Sequence, residues 1–265
     1  MRAVGGLLFV LACLVSIGCA VVEEKDKAKD KDKAKARNDE PPAVRKAECR
    51  WVTNVIRIDG VIDDVAWDDA EELTGFSAFW QKRPAATATT AWLLWDRNYL
   101  YFCADMEDHD LFAMTEQRNG MTWEDDVFEL FFKPSDRKPA YYEFQVNARN
   151  TQLELFLPSR GAGGYRRFAP LTKLGMESAV KLRGTLNKHQ DKDKGWAVEG
   201  RIPWKAFEAT GGRPKAGDVW KFALCRYDYS VYLERTDLTS TAPLTQPDFH
   251  RYEDYGELTF VGPKQ

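Results

Sequence analysis

A run of acidic residues follows Trp123, and these side chains have the clearest capacity for chemistry in the chain. Glu124, Asp125 and Asp126 come directly after the tryptophan, and Glu129 follows three residues later. Two carboxyl groups held at a fixed separation can hydrolyse a glycosidic bond. A single carboxylate near an aromatic ring can instead hold a sugar, because the ring packs on its C–H face while the carboxylate accepts hydrogen bonds from its hydroxyls.

Two amide side chains lie in the next strand-like run. Gln145 and Asn147 are two residues apart, so they share one face of a strand. Glu129 and Phe131 likewise share a face of the preceding strand, opposite Leu130. If these strands are neighbours, one acid and two amides line a single patch that can form hydrogen bonds with the hydroxyl groups of a sugar.

Motifs of several other function classes are absent from the sequence. It has no GxSxG or HExxH motif, and its three histidines are widely spaced. The glycines of residues 161–164 lack the Lys-Ser/Thr of a phosphate-binding loop, so they predict a flexible loop. A formal net charge of −3 gives no support for nucleic-acid binding. The sequence therefore gives no support for these function classes.

The N-terminus is typical of an export signal. Arg2 precedes an apolar run over residues 4–22. Either residues 1–18 are removed and Cys19 becomes the lipidated first residue, or cleavage follows Ala20, or the run stays as an uncleaved anchor. Each alternative predicts a location outside the cytoplasm.

Interleaved lysine and aspartate fill the segment after the signal. We assign residues 1–20 to the signal and residues 21–48 to a linker, which we expect to be disordered because it has few apolar groups to bury. The folded domain is predicted over residues 49–265.

The sequence pattern of the domain is typical of a β-sandwich, because short apolar runs alternate with turn signals about every ten residues. Two aromatic-rich runs flank Asp96-Arg97-Asn98 and predict a hairpin. We expect an all-β, antiparallel sandwich of jelly-roll or immunoglobulin-like type, with short helices at 63–70 and 203–207. The predicted strands are 91–95, 99–104, 127–132, 141–147, 152–157, 180–186, 195–202, 219–227 and 256–261.

Two sets of residues are assigned to the core. Cys49, Cys103 and Cys225 are odd in number and lack CxxC spacing, which favours buried free thiols at Cys103 and Cys225 over one disulfide. The tryptophans that lie in strand or helix patterns are also predicted to be core residues: Trp67, Trp92, Trp95, Trp196 and Trp204.

Five segments, in order, resemble the family 9 carbohydrate-binding modules. They are residues 58–67 (IDGVIDDVAW), 94–101 (LWDRNYLY), 123–131 (WEDDVFELF), 144–147 (FQVN), and 195–199 (GWAVE) with the closing 255–258 (YGEL). The resemblance implies a β-sandwich without catalytic activity that holds sugar between two aromatic side chains. It also implies that structural calcium is common, although no cofactor is required.

The resemblance implies a role in sugar binding for particular residues. Trp123 corresponds to the first aromatic clamp, and Glu129 to the carboxylate that bonds sugar hydroxyls. Gln145 stands where the family has arginine, and Phe249 where it has a second tryptophan. The residues predicted to bind carbohydrate are Trp123, Glu129, Gln145, Asn147, Phe249, His250 and Arg251.

The sequence also leaves other ligands and partners open. For calcium, an aspartate cluster departs from EF-hand spacing because Val61 occupies a ligand position; its members are Asp59, Asp63, Asp64, Asp68 and Asp69. The alternatives to sugar binding are a protein-interaction sandwich, or a haem-binding electron-transfer domain like the related DOMON sandwiches. The haem-ligand candidates are Met106, Met114, Met121, His109 and His250. The expected partner is a polysaccharide or oligosaccharide, bound by a monomer that touches a membrane only through its N-terminus.

Overall fold

The computed structural model describes residues 43, 44 and 46–263. The predicted signal over 1–20, the lipidation site Cys19 and most of the predicted linker lie outside these residues. The first strand, β1 (Lys46–Trp51), begins three residues before the predicted start of the domain. Buried Ala47 and Cys49 alternate with exposed Lys46 and Glu48, which is the period of a strand with one face in a core.

Strands dominate the described part of the chain. After β1 they are β2 (Ser77–Ala78), β3 (Arg83–Pro84), β4 (Thr89–Trp95), β5 (Tyr99–Met106), β6 (Val127–Lys133), β7 (Tyr141–Asn147), β8 (Gln152–Leu157), β9 (Glu177–Leu182), β10 (Trp196–Pro203), β11 (Val219–Asp228), β12 (Asp237–Ser240) and β13 (Gly256–Val261). One short α-helix, α1, covers Gly164–Phe168. Turns of 3-10 helix cover Val65–Asp69, Phe79–Gln81, Thr122–Glu124, Ala169–Leu171, Trp204–Thr210 and Tyr252–Asp254.

Strand β11 joins two arms of one continuous sheet. It pairs with β6 along residues 221–227, and with β13 and then β12 through its first and last residues. One arm runs β8-β7-β6-β11-β12-β2-β3, and the other runs β13-β1-β4-β5-β10-β9. The pairs are antiparallel except that β1 is parallel to both β13 and β4. The predicted sandwich is therefore confirmed, with one parallel strand inserted.

Side chains from both arms form the core between them. Phe132 and Phe144 of the first arm share one buried cluster with Trp95, Phe102 and Phe260 of the second. Apolar burial of this kind stabilises a fold by about 25 cal/mol per Å². The tryptophans predicted to be core residues are buried, except that Trp92 is half-buried. The three domain cysteines are free and buried.

Some predicted bounds shift. β9 ends at Leu182 rather than residue 186, and beyond it the backbone N–H of Thr185 donates to the Asp193 side chain instead of to a strand. The Asp193 carboxylate accepts hydrogen bonds from the N–H groups of Thr185 and Leu111, both at 2.8 Å. Within the described residues, no helix has the length and apolar character needed to cross a membrane.

The outward face of the first arm carries a second set of buried residues. Along β6 and β7 the side chains alternate, so Phe128 and Leu130 enter the core while Glu129 and Phe131 face outward. Segments 159–165 and 247–250 lie against this outer face and turn it into a pocket.

Candidate functional site

A pocket of about 570 Å³ lies on the outer face of β6, β7, β8 and β11. Alternate residues of β6 and β7 form its floor, and loops form its walls. Its lining residues include Trp123, Glu129, Phe131, Tyr141, Glu143, Gln145, Leu155, Leu157, Arg160, Tyr165, Tyr227, Asp248, Phe249 and His250. Its size lies in the range of about 300–1,000 Å³ typical of ligand sites.

Two aromatic side chains predicted from the sequence line this pocket. Trp123 is half-buried, and its ring meets Tyr165 edge to face with centroids 4.6 Å apart. Phe249 is only 6% exposed and packs against Tyr227 at 5.3 Å and Phe131 at 6.4 Å. Both rings are thus held by aromatic neighbours rather than free to turn.

Gln145 lines the pocket floor with both ends of its amide engaged. Its Oε1 accepts a hydrogen bond from the Thr122 hydroxyl, and its Nε2 donates to Glu143 Oε1, both at 2.5 Å. Gln145 therefore orients Glu143, and one Nε2 hydrogen is left for a ligand.

Asn147 and Arg251 are not among the pocket-lining residues. Asn147 is fully buried, and its Nδ2 donates to Thr115 O and Asp125 Oδ2. Its Oδ1 accepts from two backbone N–H groups in the turn that joins β7 to β8, which uses all its hydrogen-bonding capacity. Arg251 donates through Nε to Asp254 Oδ2 at 2.7 Å.

The acidic residues that follow Trp123 have different roles, since some lie in the pocket and others hold the backbone in place. Only Glu129 lines the pocket, whereas Glu124 is exposed. Asp125 and Asp126 are buried. Asp126 accepts a hydrogen bond from the backbone N–H of Phe112, and Asp125 accepts from those of Met114 and Thr115. Their position in the sequence beside Glu129 could not reveal this, because alternation in a strand begins only at Val127.

Two carboxyl groups meet on the floor without balancing charge. Glu129 and Glu143 are 2% and 3% exposed, and Glu129 Oε1 and Glu143 Oε2 have no hydrogen-bond partner among the described residues. Burial raises the pKa of both groups, and the charge of Glu143 raises the pKa of Glu129 further. His250 Nδ1, 3.9 Å from Glu143 Oε2, opposes that rise for Glu143.

Sequence reasoning missed Glu143, although a signal was present. Glu143 is two residues before Gln145, so it shares the same face of β7. In the register of the sheet, Gln145 is opposite Glu129 and Glu143 is opposite Phe131, which makes the two acids diagonal neighbours.

Two wall residues, Arg160 and Tyr165, had no such signal. They flank residues 161–164, which were predicted only to form a flexible loop and whose Gly161 and Gly163 have φ of 78° and 123°.

Replacing Glu129 by glutamine is expected to raise the melting temperature at pH 8 and to change it little at pH 4. The folded state raises the pKa of Glu129 above its ordinary value of 4.5. The stability that the protonated group contributes is therefore complete below pH 4.5 and is lost as pH rises through the folded pKa. Glutamine never ionises, so the variant does not suffer this loss. Thermal unfolding at pH 4, 6 and 8 measures the effect.

The exposed Glu124→Gln is the control for this experiment, and its melting temperature should follow the wild type throughout. A Glu129→Gln protein that is less stable than wild type at pH 8 would contradict the expectation.

A second acidic cluster lies away from the pocket. Carboxylate oxygens of Asp108, Asp126 and Asp228 lie within 4.8 Å of one another, the one such group found among the residues that the structure describes. Arg226 Nη2 donates to Asp108 Oδ2 at 3.0 Å and to Asp228 Oδ2 at 3.1 Å. Asp126 accepts two backbone N–H groups.

This cluster does not suit calcium as it is arranged. Calcium takes six to eight oxygen ligands. Here a guanidinium supplies the positive charge, and among the described residues Asp228 Oδ1 is the one carboxylate oxygen of the cluster that is buried without a partner. In the predicted aspartate cluster, Asp59 accepts the Val61 N–H and Asp64 the Arg57 N–H. Structural calcium stays a prediction.

The three methionines that are candidate haem ligands occupy different environments. Met106 is fully buried in the core between the two arms, while Met114 and Met121 are exposed.

Comparison with known sequences identifies relatives of the domain. Residues 58–263 match the family model described as carbohydrate family 9 binding domain-like. Endo-1,4-beta-xylanase A from Thermotoga maritima is 33% identical over 210 residues, which cover 77% of this chain and 17% of that protein. Exoglucanase XynX from Acetivibrio thermocellus is 28% identical over 160 residues, which cover 58% and 12%. The chain thus spans less than a fifth of the length of these relatives.

Solved structures share the fold. A family 9 carbohydrate-binding module from Caldicellulosiruptor kristjanssonii in complex with cellotriose aligns with a TM-score of 0.55 and 20% identity, covering 83% of this chain and 95% of that one. The same module in complex with glucose aligns with the same TM-score and identity, covering 97% of its chain. Because the family model covers most of the chain and the sandwich agrees with it, the chain belongs to the carbohydrate family 9 binding domain-like family.

Proposed function

We propose that the domain binds a sugar reversibly in the pocket between Trp123 and Phe249 and cleaves no bond. The observation that carries this proposal is the composition of the pocket. Aromatic rings form part of its walls, and two carboxyl groups with unpartnered oxygens lie on its floor. A sugar ring has a matching division, with apolar C–H faces and a rim of hydroxyl donors.

Each lining group has a role in this proposal. Trp123 and Phe249 pack against the C–H faces of the sugar, which their ring faces attract. Glu129 Oε1 and Glu143 Oε2 accept hydrogen bonds from hydroxyls, which relieves a cost of about 1–3 kcal/mol for each buried unpaired group. His250 also lines the pocket and contributes a ring nitrogen, while Asn147 supports the site by closing the turn after β7.

The relatives support an oligosaccharide as ligand, since the C. kristjanssonii module was solved with cellotriose and with glucose. We further propose that residues 1–20 direct the monomeric domain out of the cytoplasm, with Cys19 as the site of lipidation. Residues 21–48 would then tether the domain near a surface, where it could search for glycans.

The test is a glycan-binding screen with wild type and Trp123→Ala side by side. We expect oligosaccharide binding to weaken by about tenfold or more in the variant, because truncation of a central aromatic anchor removes most of its contact area. Trp92→Ala is the matched control, since Trp92 is also half-buried but lies outside this pocket. Unchanged binding by Trp123→Ala, or no glycan bound by the folded wild type, would contradict the proposal.

A further inference from the structure

The charges that line the sugar pocket do not balance. Its acids are Glu129, Glu143 and Asp248, and its fixed cation is Arg160. Arg160 forms a bidentate pair with Glu253 at the exposed rim, at 2.7 and 2.8 Å, so its charge is already matched. The lining therefore has a net negative charge when its acids are ionised.

Of the two floor acids, Glu143 has a histidine nitrogen nearby, whereas Glu129 has no ion-pair partner among the residues that the structure describes. His250 Nδ1 lies 3.0 Å from the Tyr141 hydroxyl but 3.9 Å from Glu143 Oε2, beyond hydrogen-bond distance. The residue opposite Glu129 on β7 is the neutral Gln145, whose Nε2 donates to the other oxygen of Glu143. Each acid keeps one buried oxygen without a donor.

A ligand with positive charge satisfies this floor better than a neutral one. Sugar hydroxyls supply donors but leave the charge of an ionised buried carboxylate uncompensated, which is costly. An ammonium group supplies three donors and one positive charge, which matches the charge of one carboxylate, and its hydrogen bonds to carboxylates are about twice as strong as neutral ones.

We propose that the pocket selects an amino sugar, whose protonated amine lies between Glu129 and Glu143. The proposal rests on the proposed carbohydrate-binding function and names the class of sugar for the same site. The aromatic walls hold the ring, as for any sugar, while the two acids discriminate by charge.

The test compares three trisaccharides by calorimetric titration at pH 6, where aliphatic amines are protonated. They are the β-1,4-linked trimers of glucosamine, of N-acetylglucosamine and of glucose. We expect the glucosamine trimer to bind the full protein about tenfold or more tightly than either neutral trimer. The acetylated trimer is the matched control, because it carries a neutral substituent at the same carbon.

Variants assign the preference to the two acids. Glu129→Gln and Glu143→Gln should each reduce the ratio of glucosamine-trimer to glucose-trimer affinity, whereas the exposed Glu124→Gln should leave it unchanged. Equal or tighter binding of a neutral trimer by wild type overturns this proposal and leaves the carbohydrate function intact. A folded protein that binds none of the three overturns both.

Discussion

Replacing Arg226 by glutamine is expected to lower the free energy of unfolding by about 3–5 kcal/mol at pH 7.5, the usual effect of removing one partner of a buried ion pair. The Arg226 side chain is 1% exposed and donates to the carboxylates of Asp108 and Asp228. It also donates to the hydroxyls of Thr87 and Thr89, both at 3.0 Å. Without the guanidinium, buried acids face one another with no compensating charge.

The loss should shrink in mild acid. Burial and the neighbouring Asp228 raise the pKa of Asp108 from 3.8 to about 6, and burial raises the pKa of Asp126 as well. Stability from the protonated forms is complete below about pH 3.8 and is lost as pH rises through about 6 for Asp108. At pH 4.5 the acids of the variant can take up protons, so less charge is left unpaired.

Urea unfolding at pH 4.5 and pH 7.5 measures both effects. The control is Arg57→Gln, because Arg57 is exposed and its pairs with Asp63 and Asp64 should contribute less than about 1 kcal/mol. The explanation fails if Arg226→Gln loses less than about 1 kcal/mol at pH 7.5, or if its loss is the same at both pH values.

Replacing Glu199 by alanine is the second large change, with an expected loss of about 3 kcal/mol or more. Glu199 Oε1 accepts the Trp67 indole N–H at 2.9 Å. Its Oε2 accepts the backbone N–H groups of Asp59 and Gly60 at 3.1 and 3.2 Å. Alanine leaves these donors without a partner, at about 1–3 kcal/mol for each one that stays buried.

Chemical unfolding compares Glu199→Ala with Glu177→Ala on the neighbouring strand. Glu177 is exposed and pairs with Arg201 at 2.6 Å, so its loss should stay below about 1 kcal/mol. Similar stability of the two variants would show that water replaces Glu199 as acceptor. Glu199→Gln should lie between wild type and alanine, because its single carbonyl oxygen can still accept the two backbone donors.

Glu199 also illustrates what the family resemblance could and could not convey. Segments 58–67 and 195–199 both carry the resemblance, but nothing in the sequence indicates that they touch, since Trp67 and Glu199 are 132 residues apart. In the structure the Glu199 carboxylate joins them, at Gly60 and Trp67. Local residue patterns specify elements, whereas contacts between distant segments depend on which strands pair.

The sequence by itself determined the elements whose signals are local. The hairpin of β4 and β5 is an example, because Asp96 Oδ1 accepts the N–H groups of Asn98 and Tyr99 within its own turn. Alternation along β6 likewise determined that Glu129 and Phe131 share a face.

Only the tertiary structure decided what surrounds those faces. The charged β1 was assigned in part to the linker, because its place between β13 and β4 depends on parallel partners far along the chain. Asn147 and Gln145 share a face of β7, yet Asn147 closes a turn while Gln145 lines the pocket beside Glu143. Side-chain periodicity describes only a few residues along one strand. Glu129 and Glu143 come together in one pocket because β6 pairs with β7 and because loops 159–165 and 247–250 pack beside them.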